Sequence, residues 1–244
     1  MIISTAEGQN WWSNRGYDLY GVIPLNELPE ELESQFKRVS LELSKYKSLV
    51  LIGNSGPRMW EILADKLNGY HESSDVFDFS SRQAVLDWSN EELNEATYRL
   101  LYPTSLPVSL QTMGAYLGWS HPSPLGLGIH PTYGLWFAYR AAFLVDAALE
   151  ASMVREDCSP CDSCLEKPCL SACPPKALSS MAPPSLSLCS GYRLKNGSPC
   201  ATSCMARFAC PVGKEYRYAK EQMKYHSLHS LETIRRWMES SGEL

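Results

Sequence analysis

The chain has 244 residues, 44% of them apolar, and 22 Lys and Arg against 27 Asp and Glu leave a net charge of −5. A chain of this length and composition can bury a core without covalent staples. Mild acidity with no basic stripe disfavours nucleic acid as a partner, and no apolar run reaches the length of a membrane span.

Residues 17–23 alternate weakly and predict a first strand, ended by Pro24. Residues 28–46 predict a helix: Pro29 suits its first turn, acids lead it, and Leu32, Phe36, Val39 and Leu43 share one face. Residues 48–56 form a short apolar run of strand type, and Pro57 opens a helix to about Leu67. Between them, Gly53-Asn54-Ser55-Gly56 lacks the Lys-Ser/Thr of a phosphate-binding loop and reads as an ordinary β–α turn. A helix around Ser80–Trp88 follows, and Ser89-x-x-Glu92 reads as a capping box for another that ends before Pro103. Residues 108–119 read as helical. A turn at His130–Gly134 leads into a strand around Trp136–Val145, and residues 214–238 form a long polar helical stretch. Trp11 and Trp12 are candidates to cover a cofactor or a domain seam. Arg140 is unusual on a strand; its default reading is a pair with Asp146 or a Glu, and the alternative is a cofactor carboxylate or amide.

All nine cysteines fall between Cys158 and Cys210. Disulfides belong to oxidising compartments, and the first residues carry neither a basic n-region nor an apolar h-region, so a cytoplasmic location is expected. Zinc takes four ligands, often as two close pairs, and leaves the density of thiols and the two Cys-Pro steps without a role. The bacterial ferredoxin run is C-x2-C-x2-C-x3-C-P, with its last cysteine given to the other cluster. Cys161-x2-Cys164-x4-Cys169-x3-Cys173-Pro174 matches it with two extra residues, and Cys200-x3-Cys204-x5-Cys210-Pro211 repeats the ending. The expected ligand sets are Cys161, Cys164, Cys169 and Cys210 for one [4Fe–4S] cluster, and Cys173, Cys189, Cys200 and Cys204 for a second. Cys158 is then spare, although Cys158-x2-Cys161-x2-Cys164 also has the standard spacing.

Leu117-Gly118-Trp119 and His130-Pro131-Thr132-Tyr133-Gly134, followed by these cysteine runs, resemble the epoxyqueuosine reductases and, more distantly, the corrinoid reductive dehalogenases. The amino-terminal half is similar to CblC-type cobalamin-processing proteins. The chain also resembles small bacterial 4Fe–4S ferredoxin-type proteins of unassigned role, which share the His-Pro-x-Tyr-Gly turn and the ending seen here at Ala209–Gly213. The resemblance implies an α+β fold: a nitroreductase-like α/β domain (1–155), a ferredoxin-like two-cluster module (156–215) and a carboxy-terminal helix (216–244). It implies a corrinoid such as cobalamin, with Gly126, His130 and Tyr133 at its site. Where the reductases carry Gly-Lys-Asn, this chain has Ser123-Pro124-Leu125-Gly126, so their substrate chemistry does not carry over. The expected role is an iron–sulfur protein that passes electrons from a ferredoxin- or flavodoxin-type donor to a cofactor or substrate in the first domain. The alternative is a plain electron carrier.

Overall fold

A computed structural model of the chain describes residues 4–67, 76–93, 96–154 and 158–241. It forms two compact units, residues 1–120 with 137–157, and residues 121–136 with 158–244. The domain boundary expected between residues 155 and 156 lies outside the described residues. Among the described residues no helix is long and apolar enough to cross a membrane.

The first unit is an antiparallel sheet in the order β1-β2-β4-β3, with β1 Leu19–Pro24, β2 Ser48–Ser55, β3 Tyr98–Tyr102 and β4 Phe137–Val145. The fold is therefore α+β, as expected. The central strand β2 is buried along its whole length, which explains its unbroken apolar run: a strand covered on both faces does not alternate. On one face Leu49, Leu51, Ala142 and Leu144 pack with Leu32 and Phe36 of α2 (Glu30–Arg38) and Met113 of α5 (Leu110–Tyr116). Aromatic packing joins Trp12 of α1 (Thr5–Ser13), Trp88 of α4 (Val76–Glu92) and Phe143, with ring centroids 5.6 Å apart for Trp12–Trp88 and for Trp88–Phe143. Trp12 is core, and the Trp11 indole N–H donates to Glu91.

Three expectations are corrected. The helix expected over 28–46 stops at Arg38, where Ser40 turns left-handed (φ +52) and Leu41 N–H reaches back to the Phe36 carbonyl, a Schellman ending. The apolar period beyond it belongs to a loop whose Leu41 and Leu43 still pack on the same core. The presumed turn at 53–56 is mostly strand, since β2 runs to Ser55 before α3 (Arg58–Leu67). One helix, α4, spans 76–92, so Ser89 lies inside it and donates to the Ala96 carbonyl instead of capping; the residues beyond form β3.

The second unit is built from short helices: α6 Pro160–Ser163, α7 Pro168–Ser171, α8 Leu186–Arg193 and α9 Met205–Ala209, followed by α10 Lys220–Ser241. The expected helix at 214–238 thus begins later, after a single 3-10 turn at Lys214–Tyr216.

Candidate metal centre

Each cysteine sits at a turn of helix that its neighbours fix. Ser159-Pro160-Cys161 and Ser198-Pro199-Cys200 use one device twice. Serine caps, proline fills the first position where no N–H is needed, and the serine Oγ accepts the cysteine N–H at 3.3 and 3.2 Å. This repeated Ser-Pro-Cys was a signal in the sequence that spacing of cysteines alone passed over. Cys164 ends α6, Cys169 lies in α7 and Cys173 follows it. Cys189 lies in α8, which Ser185 caps. Cys204 and Cys210 bracket α9.

These turns sort eight thiols into two groups. Cys161, Cys164, Cys169 and Cys210 line one cavity with Ile129, Leu135 and Val212. Cys173, Cys189, Cys200 and Cys204 line another, of about 320 Å³, whose walls include Leu178 and Met223. His226 lines it as well, a neighbourhood its sequence position did not suggest. The first cavity is tight, about 20 Å³, so a bulky group there requires the cysteine side chains to turn outward. Cys158 is exposed and lines neither.

Among the described residues no three of His, Cys, Asp and Glu converge as one metal ion demands. A four-iron cluster asks for a different spacing, because each of its four thiolates bonds a different iron. Burial pushes the thiols of Cys161, Cys169, Cys189, Cys200 and Cys210 above their ordinary value. Neighbours of the same group push further: Cys210 acts on Cys161 and Cys169, and Cys204 on Cys189 and Cys200. Lys167 opposes this at Cys161, and Arg193 at Cys189. Four thiolates so placed need a positive core between them to be stable together. Backbone N–H groups already face the sulfurs: those of Cys169 and Leu170 at Cys169, of Met205 at Cys200 and of Val212 at Cys210. The donor set and its second layer fit an iron–sulfur cluster in each group.

Gly126, His130 and Tyr133 lie in the same unit as the cysteines. Gly126 has φ +70, and a Cβ there would meet Pro184 Cγ at 2.9 Å. His130 Nδ1 accepts the N–H groups of Thr132 and Tyr133 at 3.0 and 3.2 Å, so that nitrogen holds the His-Pro turn. The Tyr133 ring lies 4.4 Å from the His130 ring and edge-on to Tyr216. In the first unit Arg140 does not pair with Asp146, which Lys47 takes at 2.9 Å; its partner is Asn54.

No protein-family model matches the sequence, and no curated protein matches it. Solved structures do match the fold. A selenomethionine-labelled epoxyqueuosine reductase superposes with a TM-score of 0.56 at 17% identity, over 90% of this chain and 68% of its own. Epoxyqueuosine reductase from Bacillus subtilis gives 0.55 at 16% identity over the same shares. The catabolic reductive dehalogenase NpRdhA gives 0.54 at 12% identity, over 92% of this chain and 34% of its own. The chain has the fold of these redox enzymes, in keeping with the resemblance carried by residues 117–145.

Proposed function

We propose that the chain is an iron–sulfur redox protein with two [4Fe–4S] clusters, one on Cys161, Cys164, Cys169 and Cys210, the other on Cys173, Cys189, Cys200 and Cys204. The carrying observation is the sorting of eight thiols into two groups of four, each around its own cavity and each taking one cysteine from the other run. That exchange is the bacterial ferredoxin pattern. Bound clusters would supply one-electron transfer. The chain's part is to exclude water with Ile129, Leu135, Leu178 and Met223, and to place N–H groups on the sulfurs, both of which tune the potential.

Electrons arrive from a ferredoxin- or flavodoxin-type donor and go to an acceptor held by the amino-terminal unit. That acceptor is a corrinoid in this reading, supported by the resemblance at Leu117-Gly118-Trp119 and His130–Gly134 and by the shared fold; Gly126, His130 and Tyr133, expected as its contacts within the first domain, belong instead to the unit of the cysteines and are not assigned to it. A second reading, an electron carrier without its own acceptor, draws support from His130 Nδ1 being engaged by the turn.

An anaerobic preparation tests the clusters. About eight irons and eight sulfides per chain, with two interacting paramagnets after dithionite, are expected; zinc, or iron with no labile sulfide, sinks the assignment. Adding cobalamin to the reduced protein tests the acceptor. A shifted visible spectrum that survives gel filtration supports the corrinoid, and reversible reduction without that shift favours the carrier.

A further inference from the structure

Arg140 lies buried in the first unit with no counter-ion among the described residues. The sheet puts it there. Strands β2 and β4 pair Ile52 with Ala141 and then Gly53 with Tyr139, so Arg140 is the extra residue of a β-bulge. A bulge re-aims the side chain it carries. Arg140 Nε donates to Asn54 Oδ1 at 2.6 Å, and its guanidinium carbon stands 4.5 Å from the centre of the Phe77 ring. Arg140 is 7% exposed and Asn54 fully buried.

That bond uses one donor of Arg140 and the amide oxygen of Asn54, and leaves the other donors of both residues over. Among the described residues the two terminal nitrogens of Arg140 make no hydrogen bond or ion pair and, not being among the buried atoms without a partner, reach solvent. Asn54 Nδ2 is buried with no acceptor. Two acids of this unit are committed elsewhere: Asp146 to Lys47, and Asp18 to the N–H and hydroxyl of Ser55. A guanidinium does not shed its proton, so burial does not neutralise it. A buried amide N–H without an acceptor is costly, and guanidinium ends met only by solvent are open to a ligand beside it.

We infer that Arg140 and Asn54 form a binding site for a carboxylate, held by the terminal nitrogens of Arg140 and by Asn54 Nδ2. The guanidinium fork matches two carboxylate oxygens. One guanidinium balances a single negative charge; a phosphate dianion would bring a second charge that no buried cation among the described residues meets. The Asn54 bond fixes the fork in advance, and Phe77 covers one of its faces. The site goes beyond the cluster reading and does not depend on it, since all three residues belong to the first unit.

Titration calorimetry of the full chain tests it, with acetate, benzoate and succinate as probes and phosphate at matched ionic strength. Saturable binding of at least one carboxylate, tighter than phosphate, is expected. Arg140→Gln abolishes it. Arg140→Lys keeps the charge but not the fork, and weakens it about tenfold or more; it also serves should the glutamine variant not fold. Absence of saturable carboxylate binding, equal affinity in Arg140→Lys, or preference for phosphate overturns the inference. Protein free of iron binds as well as loaded protein, so failure of the cluster assignment is read separately.

Discussion

Gly134 and Gly213 each leave room for the backbone beside the other. A Cβ on Gly134 would strike the Val212 carbonyl, and one on Gly213 would strike the Tyr133 carbonyl. Both have positive φ, +59 and +66. The turn at 130–134 and the Cys210-Pro211-Val212-Gly213 ending therefore lie backbone against backbone, and Cys210 is positioned through that contact.

Alanine at Gly134 or Gly213 adds a steric clash to a left-handed backbone. The expected cost is roughly 2–5 kcal/mol, seen as a lower melting temperature. Gly197→Ala is the control: its φ is +74 with nothing within 4 Å of an added Cβ, so only the conformational cost of about 1–2 kcal/mol applies. Equal losses at all three positions would show that packing at 134 and 213 does not matter.

The cysteine assignment predicts unequal effects. Cys204→Ala or Cys173→Ala should lower iron from about eight to about four per chain, and Cys210→Ala should remove the other four. Cys158→Ala should leave iron unchanged. Iron loss in the Cys158 variant that matches Cys161→Ala would move Cys158 into the ligand set.

Arg207 ties the second unit together. Its Nε donates to the Leu135 carbonyl at 3.0 Å, and its guanidinium lies over Trp136 and Tyr218 at 4.7 and 4.8 Å. Arg207→Met should cost about 1–3 kcal/mol from the lost bond and cation–π contacts. Arg207→Lys should recover less than half, because an ammonium is not planar. Thermal melts of the loaded protein, followed by visible absorbance, read both; a lysine variant as stable as the parent would count against the stacking.

Burial pushes the Tyr139 hydroxyl up to about 12, and those of Tyr17 and Tyr20 upward as well, with the Glu150 carboxylate adding to the effect at Tyr20. Their folded pKa values exceed the ordinary 10.0. The stability that Tyr139 contributes is whole below pH 10 and lost as pH rises through about 12, and that of Tyr17 and Tyr20 is likewise whole below pH 10 and lost at higher pH. An ultraviolet titration of the 13 tyrosines should show these three lagging and ionising with unfolding. A single step near pH 10 with the fold intact would contradict their burial.

The sequence was most legible where one physical rule acted alone. Strands β1, β2 and β4 were readable because apolar runs bounded by Pro or Gly have few other fates. The two groups of thiols were countable because each run ends in a Cys-Pro step whose cysteine lines the other run's cavity. Reading failed where local and distant signals competed. Acids and a Ser-x-x-Glu pattern suggested helix up to residue 103, yet Tyr98–Tyr102 pairs with β4, a preference that lies in the partner strand. Leu43 kept the helical period but reaches the core from a loop, since a left-handed Ser40 had already ended the helix. Arg140 stands out on a strand by its charge alone, but the bulge that aims it at Asn54 depends on the register of two strands.

The second unit is made of two stretches of chain, 121–136 and 158–244, with strand β4 of the first unit between them. A fragment cut to begin at Cys158 would keep every cysteine but lose Ile129, Leu135 and Trp136 from its cores and Gly134 from beneath Val212. The cysteine module is thus not a cassette that a single pair of cuts can excise. To graft it elsewhere, the loop 121–136 must be supplied too, either in its present place or rejoined by a circular permutation.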